Sequence, residues 1–188
     1  MTILRHAFAG ALFLATATSA VVAQAADFIK IQLKDGPVVI ELSDKAPKHA
    51  ERIKALAAAG EYDNVAFHRV IEGFMAQTGD VQYGDMADGY QAGAAGTGGS
   101  SQPDLPAEFS DIPFKRGTVG MARAQDPNSA NSQFFIMFAP GDFLNGQYTV
   151  VGQVVSGMEN VDKIKRGDDA NNGSVTDPDR MIKVTVGK

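Results

Sequence analysis

Short apolar runs, each cut off by glycine, proline or aspartate before reaching helix length, set the terms for any fold of this chain. FIKIQLK (28–34) and PVVIELS (37–43) alternate with period two. Asp35-Gly36-Pro37 between them is turn chemistry, so the pair reads as a hairpin. Strand signals recur in AFHRVIE (66–72) and GFMAQTG (73–79), joined around Glu72-Gly73. They return in GTVGMAR (117–123), QFFIMFA (133–139), YTVVGQVVS (148–156) and RMIKVTVG (180–187). Only two stretches change to the helical period. In residues 44–62, Ala46, Ala50, Ile53, Leu56 and Ala57 share one face, with Pro47 in the first turn and Gly60 as the stop. In GMENVDKIKRG (157–167), Val161 and Ile164 share another. A strand satisfies none of its own backbone hydrogen bonds, so about eight strands must pair. They lose their edges most simply by closing on themselves. The expected fold is mainly β: a closed eight-stranded antiparallel barrel capped by two α-helices.

The first 25 residues stand apart from this pattern. MTILRH carries positive charge, AFAGALFLATATSAVVA is apolar, and AQA (23–25) offers a small-x-small cleavage site. The run is short for a bilayer span and is diluted by Thr16, Thr18 and Ser19. Residues 1–25 are read as a cleavable signal peptide and 26–188 as one domain, exported and free of the membrane once cleaved. The net charge of −5 argues against a nucleic-acid binder that relies on a basic surface. With no cysteine and three histidines, disulfides, thiolate nucleophiles and cysteine zinc sites are excluded, and an imidazole-built metal site is disfavoured. No cofactor is expected.

Several motifs resemble sites and fail on their chemistry. GAAGTGGSS (93–101) lacks the lysine and helix of a phosphate loop, and reads as a flexible loop inside the Gly- and Pro-rich stretch 81–113. In DDANNGSVTDPD (168–179), Gly173 at the sixth position puts Ala170 at the third and Asp179 at the twelfth, so the calcium pattern breaks. It reads as a solvated turn. His49 lies on the helix and is expected to be exposed. His68 neighbours Arg69 on a strand, so the two face opposite ways, and His68 is expected as a hydrogen-bonded core residue.

That leaves Arg69, a permanent cation among Val70, Ile71, Phe74 and Met75, with Gln77 close behind. Arginine is a poor base but a rigid planar donor. In a groove walled by phenylalanine and methionine, it suits a small apolar ring beside a polar backbone, which is the shape of a prolyl peptide. Rotation about a peptide bond faces a barrier of ~18–20 kcal/mol. As the bond twists, nitrogen regains a lone pair that a guanidinium can meet, so the interaction favours the transition state.

FHRVIEGFMAQTGD (67–80), MARAQDPNSANSQFFI (121–136) and FLNGQYTVVGQVVSGMENVDKI (143–164) also resemble the signature segments of the cyclophilin-type peptidyl-prolyl isomerases. The resemblance runs from about Phe28 to Val186. It implies the same eight-stranded, two-helix fold and isomerisation of X–Pro bonds. By motif position, Arg69 matches the catalytic arginine and Gln77 the amide that holds it. Phe74, Met75, Phe135 and Leu144 match the walls of the proline pocket. Ala122, Arg123, Gln133 and Gly96 match groove positions, Arg123 standing where asparagine is frequent. Phe143 replaces a common tryptophan, which implies weak cyclosporin binding and a bacterial form, hence a periplasmic location. Tyr148 replaces a common histidine. The segment between Gln77 and Gly96 is longer than in short members and is expected to lengthen a rim of the groove.

The expected partners are proline-containing peptides and exported proteins in the course of folding, met by a monomer. The alternative is a binding module or holdase with the same groove and little turnover. A barrel carrying a small hydrophobic ligand is disfavoured, because phenylalanines would fill so small an interior. Of Phe134 and Phe135, alternation sends one to the core, and the motif assigns Phe135 to the groove.

Overall fold

The computed structural model describes residues 27–187; the leader assigned to 1–25 lies outside them. Eight strands form one antiparallel sheet: β1 (Phe28–Leu33), β2 (Gly36–Leu42), β3 (Arg69–Ile71), β4 (Met75–Thr78), β5 (Thr118–Met121), β6 (Phe134–Met137), β7 (Val150–Ser156) and β8 (Lys183–Gly187). Their order is β3-β4-β6-β5-β7-β2-β1-β8. Bulges between Val39 and Ile40 and between Val119 and Gly120 break the register against β7. Bulges add bend and twist, which a sheet needs to curl.

The curl does not close. β3 and β8 are the two ends of the sheet and do not pair with each other. The expected closed barrel is therefore corrected to a curled, open half-barrel. Between its ends run irregular segments joined by single bridges, Ala66 to Arg180 and Arg69 to Ser174. Three-residue β3 ladders to β4 on one side only, and on its other side the chain uses loop backbone instead.

The concave side holds the main core. Ile29, Ile31, Val38 and Ile40 from the first hairpin meet Val70, Ala76, Phe134 and Ile136. Tyr62 packs edge-on to Phe134 at 5.6 Å. A second, smaller cluster lies on the other face of β4 and β6 and includes Met75, Phe114, Phe135 and Met137. These strands are buried on both faces, which is why alternation there is apolar on apolar rather than apolar on polar.

Helix α1 (Pro47–Ala59) begins on Pro47 and ends at Gly60, whose φ of 78° supplies the left-handed stop. It lies against β7 and β8 with Ala50, Ile53, Leu56 and Ala57 buried. Helix α2 (Met158–Val161) is shorter than the pattern suggests, although Val161 and Ile164 are both buried. Beyond it the chain turns to β3, where the Gly167 N–H donates to Val70 O. No helix among the described residues is long and apolar enough to cross a membrane.

His49 is not exposed; it is 0% accessible. Its Nδ1 lies 2.7 Å from Glu108 Oε2, and the same carboxylate accepts from the Lys48 and His49 N–H groups. Helical phase leaves His49 beside Ala50 and Ile53, and the long loop folds back to bring its counter-charge from far along the chain.

Candidate active site

Register builds the site. Arg69 on β3 pairs with Gln77 on β4, and Gln77 pairs in turn with Phe135 on β6. Directly opposed residues project to the same face. A cation, an amide and a phenyl ring therefore stand in one row across three strands. Met75, two residues from Gln77, adds its thioether to the same face. The reversal between β3 and β4 runs through Gly73 at φ 68°.

The row opens into a cavity of about 310 Å³. Met75, Phe135 and Leu144 line it and are buried, while Phe143, at 65% accessible, forms its exposed lip. Phe74 bridges them, with its ring 5.5 Å from that of Phe143. Arg69, Gln77, Ala122, Arg123 and Tyr148 complete the lining. An adjoining cavity of about 520 Å³ shares Gln77, Ala122 and Arg123, and is lined by Gly96 and Gln133. The structure thus gathers every site residue expected from sequence around one continuous depression. It also divides the two phenylalanines as alternation requires: Phe134 in the core, Phe135 in the cavity.

A chain of hydrogen bonds runs beneath it. Arg69 Nη1 donates to Gln77 Oε1 (3.2 Å), Gln77 Nε2 to Gln133 Oε1 (2.9 Å), and Gln133 Nε2 to Gly98 O (2.7 Å). Each amide spends both ends, so its orientation is fixed. Burial holds the Arg69 guanidinium below its ordinary value, but an arginine stays protonated. Arg123 donates to the Ala124, Gln125 and Gln147 carbonyls, and its Cζ sits 4.3 Å from the Tyr148 ring centroid. It braces the Tyr148 ring where the two cavities meet.

Three features escape sequence reasoning. Asp80 is fully buried and accepts four backbone N–H groups: Gln82 (3.1 Å) and Tyr83 (2.9 Å) on Oδ1, Gly96 (2.7 Å) and Gly98 (2.9 Å) on Oδ2. The glycine loop expected to be flexible is thus pinned at two of its residues. A Cβ on Gly98 would stand 2.5 Å from Asp80 Oδ1, so the approach needs glycine. Next, His68 is buried as expected but not hydrogen-bonded: neither ring nitrogen has a partner. Burial pushes its imidazole below the ordinary value and so favours the neutral ring, outweighing the opposite pull of the Asp80 charge. Finally, the turn read as merely solvated touches Arg69. Arg69 Nε donates to Asn172 O (3.1 Å) and Nη2 to Asn172 Oδ1 (3.0 Å). The one local signal was Asn172-Gly173, a pair suited to left-handed backbone, which says where a turn is and not what it meets.

Chemically the site offers donors without a nucleophile. Its cation stands on the wall of a hollow of about 310 Å³ with apolar side chains for most of its lining, and its amides suit a peptide backbone. The model of the cyclophilin type peptidyl-prolyl cis-trans isomerase/CLD family matches residues 28–186. A probable peptidyl-prolyl cis-trans isomerase of Brucella suis is 61% identical over 191 residues, covering 99% of this chain and 97% of that protein. Peptidyl-prolyl cis-trans isomerase B of Escherichia coli is 38% identical over 139 residues, covering 69% of this chain and 79% of the other. Among solved structures, a cyclophilin type peptidyl-prolyl cis-trans isomerase of Cryptosporidium parvum, crystallised in the presence of the dipeptide ala-pro, aligns with a TM-score of 0.69 and 26% identity. That alignment covers 86% of this chain and 99% of the other.

Proposed function

The chain belongs to the cyclophilin-type peptidyl-prolyl cis-trans isomerases, and from that premise we propose that Arg69 lowers the X–Pro rotational barrier by donating to the prolyl nitrogen. The observation that carries this reading is the placement of its guanidinium. It is half-buried on the wall of an apolar cavity, with Nη1 held by Gln77 at 3.2 Å.

In the planar amide, the nitrogen lone pair is delocalised and accepts no hydrogen bond. At the twisted midpoint it is localised, and a preset donor gains an interaction the ground state lacks. Loss of resonance also reduces charge separation along C–N. An apolar floor of Phe74, Met75, Phe135 and Leu144 therefore penalises the planar state more than the twisted one. The same floor, with Phe143 at its lip, receives the proline ring. Gln77, Gln133, Ala122 and Gly96 take the flanking peptide backbone, and Tyr148 with Arg123 bounds the neighbouring residue. The dipeptide used with the Cryptosporidium protein supports a proline peptide as the occupant here. Lowering a barrier of ~18–20 kcal/mol by about 7 kcal/mol gives roughly five orders of magnitude.

Charge near the start, an apolar run and AQA at 23–25 support an exported, periplasmic protein that acts on chains still folding.

The test follows cis-to-trans relaxation of a short Ala-Pro peptide with chain 26–188 and its Arg69→Ala variant, with binding measured in parallel. The variant should lose about 10²–10³ in kcat/KM, as for removal of a single transition-state donor, and still bind. If parent and variant bind alike and neither accelerates relaxation, the groove is a holdase site and the arginine mechanism is wrong.

A further inference from the structure

We propose that Asn172 is a positioning residue for Arg69, a role that rests on the arginine mechanism above. Of the five guanidinium N–H groups, three are committed to oxygen acceptors within the protein, and a fourth, on Nη1, meets the weak acceptor Met75 Sδ at 3.8 Å. Gln77 takes one on Nη1, and Asn172 takes the other two, through its main-chain carbonyl on Nε and its side-chain carbonyl on Nη2. A planar group held at Nε, Nη1 and Nη2 cannot turn about its own stem. The remaining Nη2 N–H, and the Nη1 N–H that meets only the thioether, are then aimed rather than averaged over directions.

The Asn172 loop is built to hold that position. Asp168 caps the preceding turn by accepting from the Ala170 N–H at 2.9 Å. The loop is then sewn onto the free edge of β3 on both sides of Arg69. The Val70 N–H donates to Gly173 O (2.8 Å), the Gly167 N–H to Val70 O (2.8 Å), and the Val175 N–H to His68 O (3.1 Å). Asn172 itself sits at φ 52°, a left-handed conformation that asparagine tolerates and most side chains resist. Glycine would tolerate it too, but only asparagine brings a second, neutral oxygen. An aspartate would hold the guanidinium and also neutralise it, weakening the charge the mechanism needs.

The experiment uses Asn172→Gly, which permits the same left-handed backbone, keeps the main-chain acceptor and removes, with the rest of the side chain, the Oδ1 that meets Arg69 Nη2. In the parent background kcat should fall about five- to tenfold, as for loss of one hydrogen bond at a solvent-accessible site, with KM and peptide binding unchanged. In an Arg69→Ala background the same change should do nothing more, since there is no guanidinium left to orient. Solvent exchange of the Arg69 Nη hydrogens, followed by NMR, should quicken severalfold while the urea midpoint holds. An unchanged kcat, or an equal loss in both backgrounds, overturns the inference. If Arg69→Ala itself turns over like the parent, the arginine mechanism falls and this role with it. A crippled Arg69→Ala beside a silent Asn172→Gly overturns the positioning role alone.

Discussion

Replacing Glu108 with alanine removes the acceptor shared by three donors at the start of α1: the Lys48 and His49 N–H groups and His49 Nδ1. Ala46 at the N-cap has no side-chain oxygen, and the first turn carries no acidic residue. A carboxylate from the long loop, 60 residues on, therefore does the capping. Loss of a cap costs about 1 kcal/mol, and loss of a negative charge at a helix N-terminus roughly 0.3–1 kcal/mol. His49 would then be left at 0% accessibility with both ring nitrogens unpaired, since Nε2 already lacks a partner. An orphaned buried polar group costs about 1–3 kcal/mol. Together these come to roughly 3 kcal/mol, a large share of a typical domain's stability. With a urea m-value near ~2 kcal/mol/M, the midpoint should drop by about 1.5 M. Glu108→Gln keeps an oxygen and loses the charge, and should cost roughly a third as much. Burial pushes the Glu108 carboxyl up, but hydrogen bonds from His49 and Lys48 outweigh it and hold the group below its ordinary 4.5. A depressed carboxyl contributes its stability above the unfolded-chain value and loses it as pH falls through the folded one. The gap between parent and alanine variant should therefore narrow in acid. A midpoint shift below about 0.3 M at neutral pH would refute the capping argument.

Gly98→Ala forces a methyl to 2.5 Å from Asp80 Oδ1 and 2.8 Å from Gln82 Cβ. It should destabilise by about 1–3 kcal/mol and raise KM more than it lowers kcat, because Gly98 O anchors Gln133; unchanged unfolding and kinetics would refute this. Cyclosporin should bind the parent weakly and Phe143→Trp at least about tenfold more tightly, since an indole adds an N–H donor that phenylalanine lacks. Calorimetry that finds tight binding to the parent would sink that expectation.

The strands were readable from the chain because a period of two is local information. So was the separation of Phe134 from Phe135, and with it the face on which Arg69 stands. What failed depended on distant residues. His49 looks like an exposed helical residue until Glu108 arrives from the loop. Asp80 looks like a turn residue at the end of β4, yet it gathers N–H groups from residues 82 to 98. Asn172 meets Arg69 across 103 residues, and no periodicity connects them. Closure failed for a related reason. A tally of eight strands says nothing of lengths, and β3 is too short to complete a ladder with β8.

The same alternation explains why the row from Arg69 to Phe135 lies outside the curl of the sheet. The concave side is filled by Tyr62, Phe67, Phe134 and aliphatic residues at 0–1% accessibility, which leaves no room there for a substrate. The convex side of β4 and β6 is apolar as well, and has only the small second cluster and a 3-10 turn, Asp142–Leu144, to cover it. A partly covered apolar face is a groove. Its register is fixed on the concave side, because a slip of one residue would carry Val70, Ala76 and Phe134 outward and Arg69 and Gln77 into the core. Burying that cation would cost far more than the slip could recover. The core that stabilises the fold thus also fixes which residues face the groove. Substitutions at Val70 or Ala76, which touch no substrate, should therefore disturb the row from Arg69 to Phe135 before they unfold the protein.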